Sequence, residues 1–419
     1  MIHIQNTEYD AVCQDASGVY DGSLTGAISV TFDESLFDLT EQQQALRDTL
    51  SVFRQWLWLK DTGHVQFALA TIAANLGSGD PVWGVIVGPP SSGKTEPLNA
   101  LNRLPNVHAV ATLTEGALLS GTPKREVEHG SKGGLLRQID RFGILLVKDF
   151  DSVMSMNRDS RGQVLAALRE IYDGSWTRHV GTGGGRTLHW EGKCGFLGGA
   201  TGAIDGAYAV MGALGERFLF YRLEEGDEED RGTRALAYAG QELEMRTALS
   251  DAVHALFATV TIPSGPILLT AQESRRLVAL ATFVTRCRSA VERNNYKMEI
   301  TNIVGVEAPS RMVKTLALLL RGFIAIGTPK QRAWDLVTKV ALDSMSVIRW
   351  RVLQMILRLG VVTTSDVSEE TGYPITTTRR VLEELACYHV ITHDIGGEGL
   401  ADGWIATEWM TRLSREIIV

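Results

Sequence analysis

The chain has 419 residues, 44% hydrophobic and 21% charged, the balance of a globular protein with enough apolar material for two or three domains. Its formal net charge of −8 excludes a surface coated in nucleic-acid-binding charge, although a local basic site remains open because acids crowd into the run 224–230. Cys13, Cys194, Cys287 and Cys387 show no C-x-x-C spacing and no long uncharged apolar stretch is present, which predicts a cytoplasmic protein with neither a zinc site nor a membrane partner.

Residues 1–45 are weakly patterned, with a short strand expected at 28–32 and no assignable role. From 42 to 59 apolar residues recur at helical spacing (Leu46, Leu50, Phe53, Trp56, Leu57), and a second helix is predicted at 64–76. A turn at 77–81 then leads into the apolar run Trp83-Gly84-Val85-Ile86-Val87, a buried strand, and directly into Gly88-Pro89-Pro90-Ser91-Ser92-Gly93-Lys94-Thr95. This is G-x-x-x-x-G-K-T between a strand and a helix. Glycines at 88 and 93 let successive backbone N–H groups wrap an anion, and the following helix start adds its positive end. Lys94 would reach the β- and γ-phosphates of a nucleotide and the Thr95 hydroxyl would hold Mg²⁺. The stretch Gly88, Pro89, Ser91, Ser92, Gly93, Lys94, Thr95 and Glu96 is therefore the expected site for ATP.

Further strands are expected at 109–113 and at 142–147, the latter a continuous apolar run suited to a central parallel strand. Between them, 116–134 mixes glycines with charge as a loop or inserted hairpin, followed by a short helix at 135–139. The central strand ends in Lys148-Asp149-Phe150-Asp151, where an acid beside a phosphate loop handles Mg²⁺ and attacking water. A helix at 161–172 precedes a Gly-rich hairpin (176–180, turn 181–185, 187–190) carrying Arg178, Arg186 and Lys193. Strands at 195–200, ending in Thr201, and from 216 complete an alternating α/β pattern. From 233 to 327 the pattern turns helical (235–259, 271–294, 310–326), and 330–359 opens a C-terminal module. There, helices at 364–370 and 376–388 flank the turn 371–374, and strands at 389–391 and 404–406 bracket a Gly-rich loop, as in a winged helix-turn-helix.

In this order the chain resembles an AAA+ ATPase of the branch that includes the minichromosome-maintenance helicases and related phage or mobile-element helicases, from about residue 79 to the C-terminus. The resemblance implies an α/β fold, a P-loop parallel sheet flanked by helices, then an all-α lid and a winged helix. The corresponding division is 1–60, an ATPase core at 61–225, a lid at 226–330 and a winged-helix domain at 331–419. Lys148-Asp149-Phe150-Asp151 is similar to the family's D-E-F-D, making Asp149 (with Mg²⁺) and Asp151 candidate catalytic acids. Lys148 and Asp149 depart from the D-E pair, and the other registration puts Phe150 where the Glu should be, so either hydrolysis is slow or the general base comes from Asp151 or elsewhere. The hairpin at 176–194 matches the pre-sensor hairpin and 116–134 the helix-2 insert. Thr201 would be the polar sensor, Glu216-Arg217-Phe218 resembles the S-R-F box with Arg217 as an arginine finger, and Ser310-Arg311-Met312 resembles R-Q-L with Arg311 as a γ-phosphate contact. Single- or double-stranded DNA would be held by Arg178, Arg186 and Lys193 and by Thr377, Arg379 and Arg380 of the recognition helix. The implied assembly is a homo-oligomer, a hexameric ring. Two activities fit: an ATP-driven DNA motor, or an ATP-switched DNA-binding regulator.

Overall fold

The computed structural model describes residues 39–120, 133–180, 186–207, 217–224, 226, 228–263, 265–294, 296, 298–394 and 403–417. The strand expected at 28–32, most of the insert at 116–134 and the Gly-rich loop at 396–399 lie outside them. Two helices, α1 (Leu39–Trp56) and α2 (Gly63–Leu76), precede β1 (Trp83–Val87) and α3 (Thr95–Leu101). Next come β2 (Val107–Ala109), α4 (Glu115–Leu118), α5 (Leu135–Ile139), β3 (Phe142–Val147), α6 (Asp151–Met154) and α7 (Arg158–Tyr172). The hairpin β4 (Ser175–Val180) and β5 (Arg186–Glu191) leads into β6 (Lys193–Ala200), a 3₁₀ turn at Gly202–Ala207, and β7 (Phe218–Arg222).

Five strands form one parallel sheet in the order β2-β3-β6-β1-β7, flanked by helices on both faces. The sequence dictates this burial: β1 and the inner residues of β3 and β6 are apolar or glycine throughout, so both faces must be covered. Side chains alternate between two cores. Ile86, Leu197, Leu219 and Tyr221 join α1, α2 and the later helices, while Trp83, Phe150, Phe196 and Phe218 join α7 and the hairpin. Because the strands are parallel, their C-terminal ends share one edge, where the loops after β1, β3, β6 and β7 gather.

A helical layer follows: α8 (Glu228–Ala237), α9 (Glu242–Thr259), α10 (Ala271–Arg288), the small hairpin β8 (Glu292–Arg293) and β9 (Ile300–Asn302), α11 (Ser310–Ala325) and α12 (Lys330–Asp343). It packs directly on the sheet layer. A Cβ at Gly322 in α11 would come within 2.3 Å of the Ala70 carbonyl in α2, so only glycine lets these helices approach. The last unit is α13 (Val347–Leu359), β10 (Val361–Val362), α14 (Thr364–Thr371), α15 (Ile375–Cys387), β11 (Ile391–Asp394), β12 (Gly403–Ala406) and α16 (Glu408–Ile417), with an antiparallel sheet β10-β12-β11. A Thr363–Asp366 capping box starts α14, and Gly372 at φ 72° ends it.

Four expectations shift. The strand expected at 109–113 lies at Val107–Ala109, and the helix of 235–259 is broken where Gly240 takes φ +89°. The helix expected over 271–294 stops at Arg288 and turns into β8–β9, and 330–359 divides at Ser344–Ser346. Among the described residues, no helix is long and apolar enough to cross a membrane.

Candidate functional site

The loop after β1 continues the sheet for one bond, Gly88 N–H donating to the Ala200 carbonyl at 3.1 Å, and then turns sharply. Ser91 takes φ +59° and Gly93 φ +88°; the second lies beyond the left-handed range that side chains accept readily, which explains the glycine of the motif. Lys94 folds back over the loop. Its Nζ donates to the Gly88 carbonyl at 2.6 Å, to the Pro89 carbonyl and to Ser92 Oγ at 3.3 Å. Half-burial holds its pKa below the ordinary lysine value, with Asp151 close enough to oppose that shift. Thr95, first residue of α3, is exposed.

At the end of β3 the acidic run is sorted by Phe150, which is fully buried against Phe196 and Phe218 at centroid distances of 5.3 and 5.2 Å. Lys148 and Asp149 on its near side are exposed. Asp151, one residue beyond, turns in: Oδ2 accepts from the Thr201 backbone N–H at 2.6 Å, and Oδ1 is buried with no hydrogen-bond partner. Thr201 Oγ1 accepts from Ala203 N–H at 3.3 Å. The fold thus gathers the loop of 88–95, Asp151 and Thr201 at one edge, with Asp149 exposed beside them.

A cavity of about 220 Å³ opens beside Ser92, lined among others by Trp58, Asp61, His64, Tyr221, Arg222 and Arg231. Burial lowers the His64 pKa to about 4, Asp61 raising it and Arg231 lowering it further, so the imidazole is neutral at pH 7. Its Nε2 is buried without a partner. Arg222 closes one wall: its guanidinium grips Asp205 bidentately at 2.8 Å and its Nε donates to the Asp343 carbonyl, joining the turn after Thr201 to the end of α12. None of these residues carries a local motif.

Several of the expected site residues have partners within the chain. Glu96 does not face a nucleotide unopposed: Arg246 of α9 holds its carboxylate, Nη2 to Oε1 at 3.0 Å. Arg178 is not a free grip for a strand. It forks onto Glu115 at 3.0 and 3.2 Å and donates to the Leu119 carbonyl at 2.7 Å, pinning the hairpin to α4. Lys193 lies at the start of β6, away from the hairpin's turn, with Nζ on the Gly77 carbonyl at 2.6 Å; burial and the nearby Arg321 lower its pKa to about 8. The Arg186 side chain lies outside the described residues. Arg217 is buried, with 6% of its side chain exposed, over the Tyr172 ring and paired with Asp173 at 2.7 Å, so it does not extend outward as a finger. Arg311 pairs with Glu307 at 2.9 Å. Burial raises the Tyr172 pKa, and Arg311 and Arg217 both sit near enough to pull it back, which places all three together. Tyr172 packs edge-on to Trp83 at 5.1 Å, so this cluster lies at the opening end of β1. The length of the strand, about 16 Å, separates it from the loop of 88–95.

On α15, Thr377 is half-buried and Arg379 is 70% exposed, near Glu383 at 3.9 Å. The Arg380 carbonyl accepts from Arg293, so the β8–β9 hairpin flanks this helix, leaving a cavity of about 380 Å³ between them. Among the described residues no cluster of three or more His, Cys, Asp or Glu could hold a metal by itself.

No known family model matches the chain, and no curated protein does. Among solved structures it is similar to the JCV helicase bound to a thiazolopyridine acetamide, at 17% identity over 57% of this chain and 67% of that one, with TM-score 0.26. It is also similar to two structures of the NrS-1 C-terminal region in the apo A form, both at 11% identity. One covers 88% of this chain and 75% of that one (TM-score 0.26), the other 86% and 75% (TM-score 0.24). At these values the functional reading rests on the residues of this chain.

Proposed function

We propose that the protein is a P-loop ATPase of the AAA+ kind whose ATP cycle drives an oligomeric, ring-forming motor on DNA. One observation carries the reading: a G-x-x-x-x-G-K-T loop at the C-terminal edge of a parallel sheet folds Lys94 over its own carbonyls, beside a buried carboxylate oxygen of Asp151 that lacks a partner. These residues fit a Mg²⁺-nucleotide. Backbone N–H groups of 88–94 and the Lys94 ammonium would neutralise the phosphates, and the Thr95 hydroxyl with an acid of the 149–151 run would hold the ion, which stabilises charge on the departing phosphate. Asp151 and Thr201 would position the water, and the cavity beside Ser92 has room for the nucleoside end. Arg311, remote from this chain's own loop, would serve a neighbour's nucleotide. The C-terminal unit, with α14 and α15 joined through Gly372 and a three-stranded sheet, supports a winged helix whose Thr377, Arg379 and Arg380 contact DNA.

A second reading, an ATP-switched DNA-binding regulator with little turnover, is favoured by Lys148 beside the acids and by the locked Arg178 and Lys193. Phosphate release by wild type and Lys94→Ala, with and without single-stranded DNA, separates the two. The motor requires DNA-stimulated release that falls about 100-fold or more in Lys94→Ala. Tight nucleotide binding with no turnover under any DNA condition leaves the switch.

A further inference from the structure

Glu96 stands two residues past Lys94 in the first turn of α3, an unfavourable place for an acid if a polyphosphate occupies the loop. The chain meets this charge with Arg246, 150 residues away on α9. Its Nη2 donates to Oε1 at 3.0 Å, and its Nε lies 3.3 and 3.2 Å from the two carboxylate oxygens. The pair is unequal in exposure: the arginine side chain is 52% exposed and the glutamate 18%. Asn99 Nδ2 also donates to Glu96 Oε2, at 3.3 Å, so the acid is fixed twice and the arginine once. The backbone beneath Arg246 is anchored, since Met245, Leu249 and Val253 of α9 are buried in the core shared with α1 and α3. The half-exposed guanidinium stands over the first turn after the loop of 88–95.

From this geometry we infer that Arg246 is a nucleotide-binding residue. It exchanges the Glu96 carboxylate for phosphate oxygens of the bound nucleotide, and Glu96 is the internal competitor for the same guanidinium. The inference rests on the phosphate-loop reading above. It gives the helical layer a direct contact with the ligand, carried by an arginine that no motif marks. The exchange preserves charge pairing on the arginine, because a phosphate oxygen accepts the same forked donors as a carboxylate.

The discriminating experiment measures the dissociation constant of a non-hydrolysable ATP analogue for five proteins: wild type, Lys94→Ala, Glu96→Gln, and Arg246→Ala and Arg246→Lys, the last two made in the Glu96→Gln background. With Glu96 replaced by Gln the ion pair is gone, leaving only a neutral amide acceptor, and there is no acid to neutralise. A further loss on Arg246→Ala of roughly tenfold or more, partly recovered by Arg246→Lys, then reports direct contact. Glu96→Gln alone tightens binding, whereas a purely structural tie between α3 and α9 predicts weakening. If Arg246→Ala leaves affinity unchanged in the Glu96→Gln background, while Lys94→Ala still abolishes binding, the inference is overturned and the nucleotide site stands. If wild type binds no nucleotide and Lys94→Ala changes nothing, the nucleotide reading fails and takes this inference with it.

Discussion

Burial sorts the acids after β3 more sharply than their order in the chain does. Phe150 is drawn fully into the aromatic cluster with Phe196 and Phe218, and that single anchor leaves Asp149 exposed and swings Asp151 toward Lys94 and Thr201. Asp151→Asn keeps an oxygen for the Thr201 N–H bond but removes the charge. We expect it to lower ATP turnover about 100-fold while leaving affinity for a non-hydrolysable analogue within roughly tenfold of wild type. Asp149→Asn should cost less than Asp151→Asn. A larger loss of turnover from Asp149→Asn would return the main acidic role to the exposed residue. The turn of 88–95 between β1 and α3 was legible because its determinants are local: two glycines, a lysine and flanking apolar runs. The partners of Glu96, Arg178 and Lys193 were not. Each is a charge whose destination lies tens of residues or more away, and local spacing carries no record of it.

The strands of the sheet were readable for the same reason as the loop, since an unbroken apolar run has few other fates in a parallel sheet. Element ends were less so, and α10 shows why. Nothing between 285 and 294 is glycine or proline, yet the helix stops at Arg288, where residues from the C-terminal unit bond the carbonyls around its end. Arg349 donates to the Cys287 and Ser289 carbonyls at 2.8 and 2.6 Å, and the Tyr388 hydroxyl to the Ala290 carbonyl at 2.8 Å. Arg349 is itself held by Glu384 at 2.5 Å, and the same carboxylate pairs with Arg293 of β8 at 3.0 Å. Glu384 therefore faces two nearly buried guanidiniums across the joint between the helical layer and α15, with Glu383 sharing Arg293. Glu384→Ala takes one carboxylate from each, Arg293 keeping Glu383 at 3.3 Å, and should cost about 3 kcal/mol, read as a lower denaturant midpoint. The exposed Arg358–Glu370 pair is the control: Arg358→Ala should cost less than about 1 kcal/mol. Equal effects of the two would mean that the joint does not depend on the buried cluster.

Across the whole molecule, the sheet has two chemically different ends. Its C-terminal edge carries the phosphate loop, Asp151 and Thr201; its opposite edge carries Tyr172, Arg217 and Arg311. A strand length of about 16 Å between them means that an arginine of the second group cannot serve the phosphate loop of its own chain without unfolding the core. The proposed ring would solve this, because each subunit's arginine edge would then face the next subunit's loop of 88–95 in a head-to-tail contact. Lys94→Ala and Arg311→Ala should each be inactive alone, the first lacking a nucleotide grip and the second the arginine given to its neighbour. Mixed and reassembled, they place intact phosphate loops beside intact arginines at about a quarter of the contacts when mixing is random and equal. Turnover should then rise well above either parent, in proportion to that fraction. Two variants that remain inactive in every mixture, although they co-assemble by sedimentation, would mean that Arg311 supports only its own subunit's fold. The division of the site between two edges would then have no part in catalysis.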